Sequence, residues 1–146
     1  MTQENEANFN EITKALAEAA GVEAMPSEEG KILFAIDDDL GVSIASAGED
    51  EVGCDVAIVS IVIGQAPDDA DALRFLLEEN YLGVGSGNGA FSVEPESGAV
   101  VLYRVFTLPM DAEAFVEAFS HLAGAARAAK DQLANSEEEP IIGMLV

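Results

Sequence analysis

The chain has no tryptophan, one cysteine, one histidine and only 6 lysines and arginines among its 146 residues. Each shortage removes a class of function. A lone Cys54 cannot close an internal disulfide, so the fold must hold without one and suits a reducing cytoplasm. One His and one Cys cannot supply the Cys- and His-rich ligand set of a zinc site. Few cations against 28 aspartates and glutamates leave a net charge of −22, which repels phosphate backbones and anionic headgroups. Neither nucleic acid nor a membrane is therefore expected as a partner. Long apolar runs are missing too. Val56 to Ile63, the longest strongly apolar stretch, falls well short of the ~20 residues that span a bilayer. Met1 to Asn8 is polar and lacks the basic and apolar regions of a secretory signal.

What is present is enough for a folded body. Hydrophobic residues make up 49% of the chain, too many for a disordered polymer despite the charge. The length fits one domain, which at this size buries about two-thirds of its unfolded surface. The plainer meaning of the acidity is solubility or salt adaptation. The functional meaning is that charge keeps a sticky apolar surface from self-association.

Hydrophobic spacing sets out the elements. Phe9, Ile12, Leu16, Ala19 and Ala20 recur at helical spacing up to Gly21. A loop through Pro26 and Glu28-Glu29-Gly30 precedes a strand, Lys31 to Ile36, with Ile32, Phe34 and Ile36 on one face. Asp37-Asp38-Asp39-Leu40-Gly41 turns the chain into a second strand, Val42 to Ala47. The acidic loop Gly48 to Asp55 leads into a third, Val56 to Ile63. Pro67-Asp68-Asp69 opens a helix that runs to about Asn80, with Leu73, Leu76 and Leu77 on one side and Phe75 and Leu82 nearly opposite. After the glycine-rich Gly83 to Gly89, a hairpin joins Ala90–Val93 to Ala99–Leu108. Asp111 caps a last helix to about Leu133, with Met110 and Phe115 as a hydrophobic staple and Phe115, Phe119, Leu122, Ala126 and Leu133 as its stripe. The order αβββαββα predicts an α+β domain, a twisted antiparallel sheet flanked by three helices, over residues 1–134. Residues 135–146 form an acidic and then apolar tail.

Catalytic and cofactor motifs dissolve on inspection. His121 projects away from the apolar stripe of its helix, which leaves Cys54 and Ser residues without a base. The Asp37-Asp38-Asp39 run fails the calcium-loop spacing, because a count from Asp37 puts Gly41 at position 5 and Val42 at position 6. Gly85-x-Gly87-x-x-Ala90 imitates a dinucleotide fingerprint but follows a helix and opens a strand, the reverse of what that site needs. No catalytic residue, cofactor or metal is expected.

The positive signal is strands apolar on both faces. Val56, Ile58 and Val62 share one face, and Ala57, Val59, Ile61 and Ile63 the other. Val100, Leu102 and Phe106 oppose Val101, Tyr103 and Val105 in the same way. A sheet with one wet face alternates apolar and polar residues. Unless the helices cover both faces, part of this surface meets another chain. A homodimer through the middle helix and second hairpin would bury Phe75, Leu82, Val101 and Tyr103. The first hairpin would then remain for an extended peptide that adds a strand to an open edge.

At this point the chain resembles the Tir chaperone family, the class I chaperones of type III secretion, from Phe9 to Leu133. The residues that carry the likeness are Gly30 with Phe34-Ala35-Ile36-Asp37-Asp38, then Leu76-Leu77-Glu78-Glu79-Asn80 before the glycine-rich loop. Gly98-Ala99-Val100-Val101-Leu102 and Leu108-Pro109-Met110-Asp111 complete it. The resemblance implies a cytoplasmic bacterial homodimer, associated with virulence, that holds the N-terminal region of a secreted effector in extended form and is not an enzyme. It places effector contacts at Phe34, Ile36, Val42 and Ile44, and adds a regulator or a secretion ATPase as further partners. The missing Trp departs from many members, which carry one in the last helix. Two other readings stand beside this one. A small α+β enzyme or ligand-binding protein would hold a desolvated carboxylate of raised pKa in an apolar pocket. An acidic mimic of another partner would lose its binding in salt.

Overall fold

A computed structural model describes residues 2–23, 25–26, 30–49 and 53–145, and within these it leaves out the side chains of 25, 26, 49 and 135–145. Helix α1 (Gln3–Ala20) starts at Thr2, whose side chain accepts the Asn5 N–H, and ends at Gly21 in the left-handed conformation (φ +67°) that suits glycine. Strands β1 (Met25–Pro26), β2 (Ile32–Ile36), β3 (Leu40–Glu49) and β4 (Asp55–Gln65) follow, then α2 (Ala70–Glu79) and a 3₁₀ turn at Tyr81–Gly83. Strands β5 (Ala90–Val93) and β6 (Ala99–Thr107) precede α3 (Ala112–Leu145). Asp69 and Asp111 cap α2 and α3, each accepting a first-turn N–H at 3.0 Å.

Three helices and an antiparallel sheet in the order αβββαββα are thus the architecture, with the two-residue β1 added at the margin. The sheet order is β1-β2-β3-β4-β6-β5. Hairpins account for every neighbour but β4 and β6, which α2 and β5 separate in sequence. The expected hairpin turn is there: Asp37 and Asp38 both have positive φ, and the Asp39 N–H closes onto the Ile36 carbonyl. Part of the loops expected around residues 27–29 and 50–52 lies outside the described residues, as do the side chains of the expected tail. The backbone of α3 stays helical past Leu133, where the last helix was expected to end, to Leu145.

One hydrophobic core joins all three helices to a single face of the sheet. Phe9, Ile12 and Leu16 of α1, Leu76 of α2 and Phe115, Phe119, Leu122 and Ala126 of α3 meet Val42, Ile44, Val59, Ile61, Val100 and Leu102. Phe115 stands edge-on to Phe106 at 5.0 Å between ring centroids. A buried side chain of this size contributes on the order of 2–3 kcal/mol. The glycine-rich loop belongs to this packing. A Cβ on Gly89 would lie 2.4 Å from the Tyr103 carbonyl, and one on Gly87 would lie 2.9 Å from the Leu122 Cα.

Polar ties hold the helix ends to the sheet. Buried Asp55 accepts hydrogen bonds from the Asn5 side chain (2.7 Å) and the Thr2 N–H (3.2 Å), fixing the start of α1 at the start of β4. The Asn8 carboxamide accepts from Met110 N–H (2.9 Å) and donates to Met110 C=O (2.8 Å), as a neighbouring peptide group would. Asn8→Ala leaves both Met110 groups unpaired. We expect a loss of about 1–3 kcal/mol in urea unfolding, with the slope of the transition unchanged.

Candidate functional site: two uncovered apolar surfaces

Among the described residues, nothing covers the face of the sheet turned away from the core. Pairing register places three rows across it: Leu33, Ser43, Ser60, Tyr103 and Ala90; Ala35, Gly41, Val62, Val101 and Ser92; and Ala45, Ile58 and Val105. None of these residues is charged, in a chain with 28 acids. Leu33, Val62, Tyr103 and Val105 are exposed. The helices therefore leave one sheet face open, and that open face is apolar or small throughout its described rows.

A second apolar surface surrounds the end of α2. Leu77 is 69% exposed, Tyr81 73%, Leu82 79% and Val84 84%. Leu82 has φ +54°, a conformation that a bulky side chain rarely adopts, and the strained backbone holds its side chain in solvent. Of the expected dimer residues, Leu82 and Tyr103 are exposed and Val101 is half-buried on the open face. Phe75 instead packs against the protein's own core. On the other side of α2, Leu76 is buried in the core and Leu77 is the apolar residue that faces outward. A helix apolar on two sides carries no signal of which side meets its own sheet. Leu77, Tyr81, Val84, Leu33, Val62 and Val105 were missed as surface residues, although the two-sided strand pattern already pointed to the last two.

The expected effector contacts divide. Val42 (2% exposed) and Ile44 (0%) lie on the core face beneath the helices and present nothing to a partner in this conformation. Phe34 and Ile36 share that face but sit near the margin, half-buried. Phe34 leans on Phe119 at 6.1 Å. Ile36 lines a cleft of about 370 Å³ with Leu16, Ala19, Val22, Val116 and Phe119, between α1, α3 and the β2 end. Beyond Ile32 and Leu33, which pair with β1, the outer edge of β2 has no strand neighbour among the described residues.

Charge at this end is structural. Arg127 grips Asp39 through both carboxylate oxygens (2.6 and 2.7 Å) and Asp37 at 3.0 Å, while Lys130 donates to the Asp39 carbonyl at 2.8 Å. The guanidinium holds the Asp39 carboxyl down to about 2, from an ordinary 3.8. Asp55 is also lowered, first by the Asn5 hydrogen bond and then by the Thr2 N–H. A general acid in an apolar pocket needs the opposite displacement, and the one carboxylate lining the cleft, Asp37, is exposed and paired with Arg127.

The sequence model of the Tir chaperone protein (CesT) family matches residues 11–130. No curated protein matches the chain. Among solved structures, the fold is similar to a chain in the complex of the Yersinia pestis type III secretion chaperone SycH with a stable fragment of YscM2. That chain is 15% identical with TM-score 0.61, covering 83% of this chain and 98% of that one. It is also similar to a chain of the ExsC–ExsE complex (20%, TM-score 0.65, 90% and 96%) and to one of the HopA1–SchA chaperone–effector complex (10%, 0.64, 90% and 99%).

A depressed carboxyl pKa stabilises the fold above the unfolded value and stops doing so as pH falls through the folded one. Asp39→Asn should lower the urea midpoint at pH 6. The gap to the unmodified protein should close between about pH 4 and pH 2, and a gap that persists at pH 2 would refute the ion-pair account.

Proposed function

The chain belongs to the Tir chaperone protein (CesT) family, the type III secretion chaperones, and from that premise we propose a homodimer that holds the N-terminal region of a secreted effector in extended form in the bacterial cytoplasm. Family membership supports a binding role rather than a catalytic one. The observation that carries the finer reading is the pair of separate uncovered apolar surfaces on a chain of net charge −22. A second copy covers the surface around α2, the 3₁₀ turn and the β6 side of the open face, with Leu77, Leu82, Val101 and Tyr103 at its centre. The effector segment lies at the other margin, along the β2 edge and over the cleft of Ile36 and Phe119. Strand addition there supplies main-chain hydrogen bonds, and the cleft takes alternate side chains. Among the described residues no helix is long and apolar enough to cross a membrane.

The body of the reading is tested by affinity capture from the native host, followed by deletion of the captured protein's N-terminal segment. A stoichiometric partner that is lost with that segment supports it. A partner retained without the segment, or a complex dissolved by moderate salt, refutes it in favour of a different contact or of acidic mimicry.

Phe75→Asp would damage the core, so the dimer is probed elsewhere. Leu82→Asp should give monomer by light scattering at micromolar concentration with the circular dichroism of the unmodified protein. A dimer that survives both Leu82→Asp and Tyr103→Asp removes this interface. Ala19 is exposed and lines the cleft. Ala19→Trp should fill the space, leave the dimer intact and weaken effector binding at least about tenfold, the weight of ~1.4 kcal/mol.

A further inference from the structure

A sheet that accepts a strand at one margin has a second margin, and here the far one is β5. In an antiparallel pair, successive residues alternate between bonding their neighbour and pointing their peptide groups away from it. The Glu94 N–H donates to the Ala99 carbonyl at 2.9 Å, so Glu94 and Ala99 face each other as a bonded pair. Counting back along the register, Ser92 opposite Val101 is bonded, while Val93 opposite Val100 and Phe91 opposite Leu102 turn their peptide groups outward. Those two residues are all that β5 offers to an incoming strand.

One of the two is already occupied. The Phe91 N–H donates to Asn80 Oδ1 at 2.7 Å, and Asn80 Nδ2 donates to the Phe91 carbonyl at 3.2 Å. The carboxamide thus makes the pair of bonds that a peptide unit of an added strand would make. Asn80 is held in place to do so. Its own N–H bonds the Leu77 carbonyl at 3.2 Å, and its carbonyl accepts from Gly83 at 3.0 Å. The outward pair left at Val93 stands alone, and a single pair does not hold a strand.

We propose that Asn80 is a specificity-determining plug: its side chain closes the β5 edge to strand addition, so an extended partner segment is taken up only at the β2 edge. This rests on the reading that the protein binds extended segments, and it adds which edge is denied to them and by what. A plug made from a neutral carboxamide suits this position, because it satisfies donor and acceptor at once. A carboxylate would satisfy only the donor.

Amide hydrogen exchange on the full chain tests the plug without any effector. In the unmodified protein, Phe91 N–H should exchange at least about tenfold more slowly than Val93 N–H, and equal rates would overturn the proposal. Asn80→Ala should abolish that difference, whereas Asn80→Asp, which keeps the acceptor, should preserve part of it. A peptide copying Ala99–Thr107 then serves as a strand probe. Protection of Val93 by this peptide in Asn80→Ala, and not in the unmodified protein, supports closure of the edge. Protection in both, or in neither, overturns it and leaves Asn80 as a tether of α2. Failure of the chaperone reading would show separately, as absence of any N-terminal cargo with both edges behaving as described.

Discussion

Three helices cover one face of a sheet whose strands are apolar on both. That imbalance governs the rest of the molecule. The core face is filled by α1 and α3 over β3, β4 and β6, with α2 at the β5 side. Among the described residues nothing covers the other face, and the three residue rows that cross it contain no charge. Apolar area left in water favours its own removal by roughly 25 cal/mol per Å². A chain built this way needs something to keep copies from associating without limit, and a net charge of −22 on the remaining surface does so over roughly a Debye length of 10 Å. Contact at the open face works at shorter range than that and is compatible with the charge.

The same acidity shapes how the elements are fastened. With 6 cations in the chain, ion pairs cannot serve as general fastenings, and two of the six are committed to one hairpin tip by Arg127 and Lys130. Elsewhere three of the ties between elements use neutral carboxamides. Asn5 secures Asp55, Asn8 secures Met110 and Asn80 secures Phe91. A carboxamide adds no repulsion to a highly charged surface and offers both a donor and an acceptor to a peptide group. Asparagine in this chain does much of what arginine and aspartate pairs do in chains of balanced composition.

Much of this could be read from the residues, and the failures have identifiable physical origins. Period-two alternation placed Ile61 and Leu102 opposite Val62 and Tyr103 correctly, because a strand has only two faces and β-pairing fixes which residues share one. The Asp111 cap was legible because its partner lies three residues away. Orientation of α2 was not. Its two apolar sides are equivalent in sequence, and only packing decides that Leu76 is buried, Phe75 half-buried and Leu77 exposed. Val42 and Ile44 were assigned by family likeness to a partner surface that the packed helices cover. The carboxamide ties escaped notice because Asn8 and Met110 lie 102 residues apart, and nothing in an isolated asparagine announces its partner.

A chaperone that holds another chain gains from contacts of this kind. Burying an unpaired charge at the contact would cost several kcal/mol and tie recognition to one partner residue. Apolar rows and a free strand edge instead recognise backbone and bulk, which many extended sequences share. The difficulty with such a surface is self-recognition, since a sheet edge accepts its own kind as readily as a partner. This chain meets the difficulty differently at its two margins. At one, β5 is four residues long and half of its outward peptide groups are filled by Asn80. At the other, among the described residues, β1 pairs with two residues of β2, and the rest of that edge, without a strand neighbour, adjoins the cleft between α1 and α3. On the proposed reading, selectivity for an extended segment comes from which margin is open and what the cleft beside it admits, with the acidic surface keeping unlike and like chains apart until that fit is made.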